Sequence, residues 1–94
     1  MTVSSSILIK TRSAGGYLQR LCKHFAHKTD VEFTEESGWI AFDFGRAYLL
    51  ADADGLMVRG VAENAEDLAR LKRVIVSHLE RFAFREALTI DWEI

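Results

Sequence analysis

The sequence predicts an α+β domain in the order β-α-β-β-β-β-α-β, a mainly antiparallel sheet with two helices packed on one face. Three observations predict it. Two segments carry apolar residues at helical spacing, four consecutive short segments alternate apolar with polar residues between short turns, and no helix interrupts those four. Helices with one apolar stripe each, and strands with one strongly apolar face, bury both most economically when the helices cover one side of the sheet.

Residues 6–12 are β-branched and alternating, with Ile7 and Ile9 on one side and Leu8 and Lys10 on the other, which predicts a first strand. Residues 13–28 then read as an amphipathic helix. At 100° per residue Ala14, Leu18, Leu21, Cys22 and Phe25 share one stripe, while His24 and His27 fall off it. Ser13 is the expected N-cap. Gly15 and Gly16 in the first turn have two competing readings, an anion site of bare backbone N–H groups or a place where close packing excludes a side chain.

Val31 and Phe33 alternate with Glu32 and Thr34, and residues 35–38 turn the chain. Ile40, Phe42 and Phe44 then face one way and Trp39, Ala41 and Asp43 the other. After a turn at Gly45-Arg46, Ala47, Leu49 and Ala51 oppose Tyr48 and Leu50. Asp54-Gly55 is expected to form a type I′ hairpin turn, since both central positions there need positive φ. Leu56 and Val58 return to the inner face, with Met57 and Arg59 outside. Gly60 within that strand implies a bulge or a close backbone approach. Asn64 caps a second helix whose stripe is Leu68, Leu71, Ile75, Leu79 and Phe82, and Leu88, Ile90, Trp92 and Ile94 alternate in a last strand.

Ninety-four residues make one domain, residues 1–94, and at 49% apolar and 28% charged they have the balance of a soluble globule. A net charge of -2 argues against a nucleic-acid partner, which needs a basic excess. No apolar run approaches the roughly 20 residues that span a bilayer, and no signal peptide is evident, so no membrane association is expected. One cysteine permits no intrachain disulfide and suits a reducing cytoplasm, the expected location.

The block Leu21-Cys22-Lys23-His24-Phe25-Ala26-His27-Lys28, the motifs Phe42-x-Phe44-Gly45 and Ala51-Asp52-Ala53-Asp54-Gly55-Leu56, and the run from His78 to Glu86 closely resemble the DUF2218 family of small bacterial proteins. The resemblance covers nearly the whole chain, departing at Gly15-Gly16 and at Gly60, where a larger residue is usual. It implies an α+β fold, a bacterial source and no established activity. Relatives encoded near or fused to siderophore-interacting reductases imply such a reductase as a partner and a link to iron.

Cys22, His24 and His27 form a C-x-H-x-x-H run, with His78 on the other helix, and thiolate and imidazole are the ligands that zinc, copper and iron favour. On helical geometry Cys22 and His24 are about 200° apart and His24 and His27 about 60° apart. A His24–His27 pair therefore needs further ligands, and His78 reaches it if the helices pack side by side. The bland alternative makes Cys22 a small buried hydrophobe and leaves the histidines tying helix ends to strands. A Cys22 nucleophile with His78 or His27 as base needs an exposed, low-pKa thiol, whereas Cys22 lies on the packing stripe. The Asp52-x-Asp54-Gly55 run lacks the glycine and the ligand of a calcium loop at its sixth and fifth positions, where Met57 and Leu56 stand.

The outer sheet face is the other candidate. Trp39, Tyr48, Leu50, Met57 and Val61 point away from the helices in this register, and large apolar groups on neighbouring strands normally meet a partner or ligand. The sequence favours a non-enzymatic binding or accessory module that uses this face for self-association as a homodimer or for a ligand, with no cofactor. The alternative is a metal- or iron-linked protein holding a transition metal at Cys22, His24, His27 and His78.

Overall fold

The computed structural model describes residues 2–83 and 88–92. The alternating segments resolve into five strands and the two stripes into helices: β1 (Val3–Ile9), α1 (Ala14–Phe25), β2 (Asp30–Phe33), β3 (Ser37–Phe42), β4 (Gly45–Asp52), β5 (Gly55–Ala62) and α2 (Ala65–Phe82). All strand pairs are antiparallel, in the order β1-β5-β4-β3-β2. The meander of β2 to β5 follows from its short connections. The first strand closes the sheet beside the last, a pairing that no local pattern announces.

Both helices pack on one face. α1 lies over β2, β3, β4 and β5, and α2 over β5, β4 and β1. They run antiparallel side by side, with Arg20 beside Phe82 and His24 beside His78. Leu18, Leu21 and Cys22 of α1 and Leu71, Ile75 and Leu79 of α2 are fully buried against Ile40, Ala47, Leu56 and Val58 of the sheet. Each large side chain so buried contributes about 1.5–3 kcal/mol.

Small residues on the inner face set how close the helices come. A Cβ on Gly60 would lie 2.7 Å from Leu71 Cδ2, and one on Gly38 would lie 2.7 Å from Phe33 Cβ and 3.2 Å from Cys22 Sγ. Register runs unbroken through Gly60 in both of its ladders, so this glycine marks close approach of α2 and not a bulge.

The element ends differ from expectation in several places: β1 runs from Val3 to Ile9 and not over residues 6–12, and the β3–β4 turn falls at Asp43 and Phe44, ahead of Gly45-Arg46, because Phe42 pairs with Gly45. Ser13 makes no side-chain cap, because its backbone (φ -107°, ψ 28°) is not extended. Its carbonyl instead accepts from Tyr17 N–H at 3.0 Å, and its N–H donates to Thr11 Oγ1 at 3.1 Å. α1 stops at Phe25, where the Phe25 carbonyl accepts from Thr29 N–H at 2.9 Å and the chain turns towards β2. The hairpin between β4 and β5 is centred on Ala53 and Asp54, one residue earlier than expected, and no non-glycine residue described has positive φ. Within this hairpin Gly55 takes the unusual backbone, at φ +142°, and Asp54 N–H donates to Asp52 Oδ1 at 2.8 Å. Asn64 does cap α2, its Oδ1 accepting from Asp67 N–H at 2.8 Å.

The closing segment docks through side chains, with no ladder among residues 88–92; Glu93 and Ile94 lie outside the described residues. Trp92 is buried, and its Nε1–H donates to Ser5 Oγ at 2.9 Å. Ser5 pairs with Gly60, so the indole fills the space above that glycine beside α2.

Candidate functional site

The face of the sheet opposite the helices carries the candidate surface. Strand alternation and antiparallel register arrange its side chains in rows that cross the strands. One row is Leu8, Met57, Leu50 and Ser37 on β1, β5, β4 and β3, and the next is Ser6, Arg59, Tyr48, Trp39 and Glu32, ending on β2. A third runs Ser4, Val61, Arg46, Ala41 and Asp30.

Leu50 is 48% exposed, Tyr48 40%, Leu8 39% and Met57 37%, so three adjacent strands present one continuous apolar strip with a tyrosine beside it. Trp39 and Val61 are only half-buried. The Arg46 guanidinium lies 4.6 Å from the Trp39 ring centroid and shields one face of the indole. A shallow groove runs past Glu32, Thr34, Ser37, Trp39 and Tyr48. The alternation in the sequence separates Leu8 from Ile7 and Ile9 but does not join it to this strip, because that requires knowing that β1 lies beside β5.

Charge is separated along the strands. Arg59 sits in the middle row and Arg46 in the row beyond it, whereas Glu35, Glu36, Asp52 and Asp54 ring the two turns at the opposite end, where Lys10 and Arg12 follow β1, all exposed. The Gly15–Gly16 helix start looks onto the same acidic end. A Cβ on Gly15 would lie 3.1 Å from the Glu35 carbonyl oxygen, and the charged residues lining the cleft there are Arg12, Glu35, Glu36 and Asp52. Close packing therefore explains Gly15, and three carboxylates against one guanidinium oppose an anion.

The cysteine and histidines separate into unlike environments. Cys22 is fully buried against the sheet, and burial pushes its thiol up to about 11. That rules it out as the thiolate nucleophile of the enzyme reading. His24 and His78 do meet across the helix seam, as side-by-side helices require, with ring centroids 4.7 Å apart. Their neighbours are aromatic: Phe25 lies 4.9 Å from each ring, and Phe82 about 6 Å from each. His78 Nδ1 is 2.7 Å from the Val74 carbonyl, which only accepts, so Nδ1 holds the proton. His24 is held below the usual histidine range by desolvation and by the positive charges of His78, Lys28, Arg81 and His27 around it. Exposed His27 makes no ring contact among the described residues.

Among the described residues no group of three or more His, Cys, Asp or Glu side chains is placed to hold a metal ion. This overturns the expected transition-metal site at Cys22, His24, His27 and His78, and with it the iron and siderophore link. The physical reason is that Cys22 points into the sheet, away from His24, while the cations that disfavour protonated His24 also oppose a bound cation.

No helix among the described residues is long and apolar enough to cross a membrane. No curated protein matches the chain. A solved structure similar to it, the NMR structure of PA4090 from Pseudomonas aeruginosa, is 37% identical, covers 98% of this chain and 94% of its own, and superposes with a TM-score of 0.75. The family described as an uncharacterised protein conserved in bacteria matches residues 8–93, and the chain therefore belongs to the DUF2218 family.

Proposed function

We propose that this protein is a non-catalytic binding module whose working surface is the open sheet face, and that the occupant of that face is a second copy of the chain. The observation that carries the reading is the strip of Leu8, Met57 and Leu50 on three adjacent strands, exposed beside Tyr48 while both helices cover the opposite face of the same sheet. Scattered exposed apolar residues are ordinary, but a contiguous strip of this kind marks an interaction surface.

Two further features favour a second copy over an unrelated partner. The face carries both signs of charge, Arg59 and Arg46 along β5 and β4 and four carboxylates at the turns beyond the apolar strip, so it complements itself when one copy is reversed. Its size also suffices. Five strands about 4.8 Å apart and three rows about 6.8 Å apart offer roughly 500 Å² per copy, and the two copies together reach about 1,000 Å², the lower bound for a specific interface.

Leu50→Glu places a charge in the middle of the strip without touching the inner face. It is expected to weaken self-association by at least about 30-fold, the equivalent of burying one poorly solvated polar group at about 2 kcal/mol. Sedimentation equilibrium measures the change, and an unaltered far-ultraviolet circular dichroism spectrum confirms that the fold is intact. An unchanged association constant would remove the sheet face from the interface.

A further inference from the structure

We infer that the two copies meet about a two-fold axis that crosses the strands along the Leu8, Met57 and Leu50 row, so that each of these residues faces its own counterpart. The inference rests on the reading above and adds the geometry of pairing. A face-to-face contact between identical surfaces requires a two-fold axis lying in the interface, and the two directions that keep the strands of both copies aligned run across the strands or along them.

Running it along this row puts the most exposed apolar residues, Leu50 at 48%, Leu8 at 39% and Met57 at 37%, at the centre, where water is excluded from both sides. The same operation reverses the strand direction. The acidic turn end of one copy then lies over the row of the other that carries Arg59 and Tyr48. Arg59 and Tyr48 of one copy come over Asp52 and Asp54 of the second, where a guanidinium and a phenolic O–H both find carboxylate acceptors. Trp39 comes over Glu35, and Ser6 over Lys10. On β1, β5, β4 and β3 no like charges meet. The competing axis, along the strands between β3 and β4, sets Leu50 against Ser37 and leaves Leu8 outside the contact, so the apolar strip is largely wasted.

Two single-cysteine additions to the full chain distinguish these arrangements through a short bismaleimide cross-linker at tens of micromolar protein. Cys22 is fully buried, so the unmodified chain is the uncross-linked control. Leu50→Cys lies on the inferred axis and is expected to convert most chains to a covalent dimer. Arg46→Cys lies four residues away on β4, about 14 Å from the axis and about 27 Å from its counterpart, and is expected to give almost none. Met57→Cys, on the same row, repeats the first expectation if Leu50→Cys perturbs folding. Cross-linking of both Leu50→Cys and Arg46→Cys would overturn the inference in favour of the axis along the strands, while keeping the sheet face as the interface. A dimeric mass with no cross-linking at Leu50→Cys or Met57→Cys would overturn the sheet-face reading as well.

Discussion

Gly55→Ala is expected to cost about 3 kcal/mol or more, a large part of the 5–15 kcal/mol that ordinarily separates folded from unfolded chains. Two effects combine at this position. The backbone is at φ +142°, where a Cβ is strained, and the added carbon would lie 2.2 Å from the carbonyl oxygen of Ile9. That oxygen belongs to the backbone of β1, so no side-chain rotation relieves the clash. The β1–β5 ladder must shift, and Ile9 with Leu56, the buried pair at its end, must shift with it. Gly16→Ala is the contrasting control. Nothing lies within 4 Å of its Cβ, and the position is helical, so the substitution is expected to be neutral or to stabilise by up to about 1 kcal/mol. Urea denaturation of the two variants reads both effects; equal midpoints would show that β1 does not pass over Gly55 as described.

Trp92→Ala is expected to destabilise by about 3–5 kcal/mol, the range for truncating a buried large aromatic residue. The indole is 7% exposed, packs over Gly60 beside α2, and donates its N–H to Ser5. Its removal leaves a cavity directly above a residue that has no side chain to collapse into it. Trp92→Phe retains most of the packing and is expected to cost less, losing the hydrogen bond at about 1 kcal/mol together with part of the ring volume. Equilibrium unfolding in urea separates the two variants. Wild-type stability in Trp92→Ala would mean that the closing segment is an appendage and not part of the core.

The helices were legible because their periodicity is local. Ala14, Leu18, Leu21, Cys22 and Phe25 follow one another at helical spacing, and all five are buried. The outer side of each strand was equally legible, since alternation alone separates Leu50 from Leu49 and Met57 from Val58. What the chain did not reveal depends on contacts distant in sequence. β1 joins β5 across more than forty residues, and that pairing alone places Leu8 beside Met57. The Arg46 side chain covers Trp39 by a diagonal contact between strands, which alternation does not specify. Turn chemistry was misplaced by one residue because Asp52 supplies the local hydrogen bond and Gly55 the unusual φ, so Asp54-Gly55 is not the central pair.

The Cys/His run misled for a different reason. The residue types match those of metal sites, but residue type is silent on what lies opposite. Here the helix seam supplies phenylalanine rings and cations where a metal would require carboxylates or more imidazoles. His24 and His78 are best understood as part of the aromatic packing between α1 and α2, where His78 also satisfies the Val74 carbonyl.

The molar mass of the unmodified chain, measured by light scattering across a dilution series from tens of micromolar downwards, tests the sheet-face account most directly. A mass near twice that of the 94-residue chain at the upper end, falling towards one chain on dilution, is the predicted result. A single-chain mass at every concentration would contradict it.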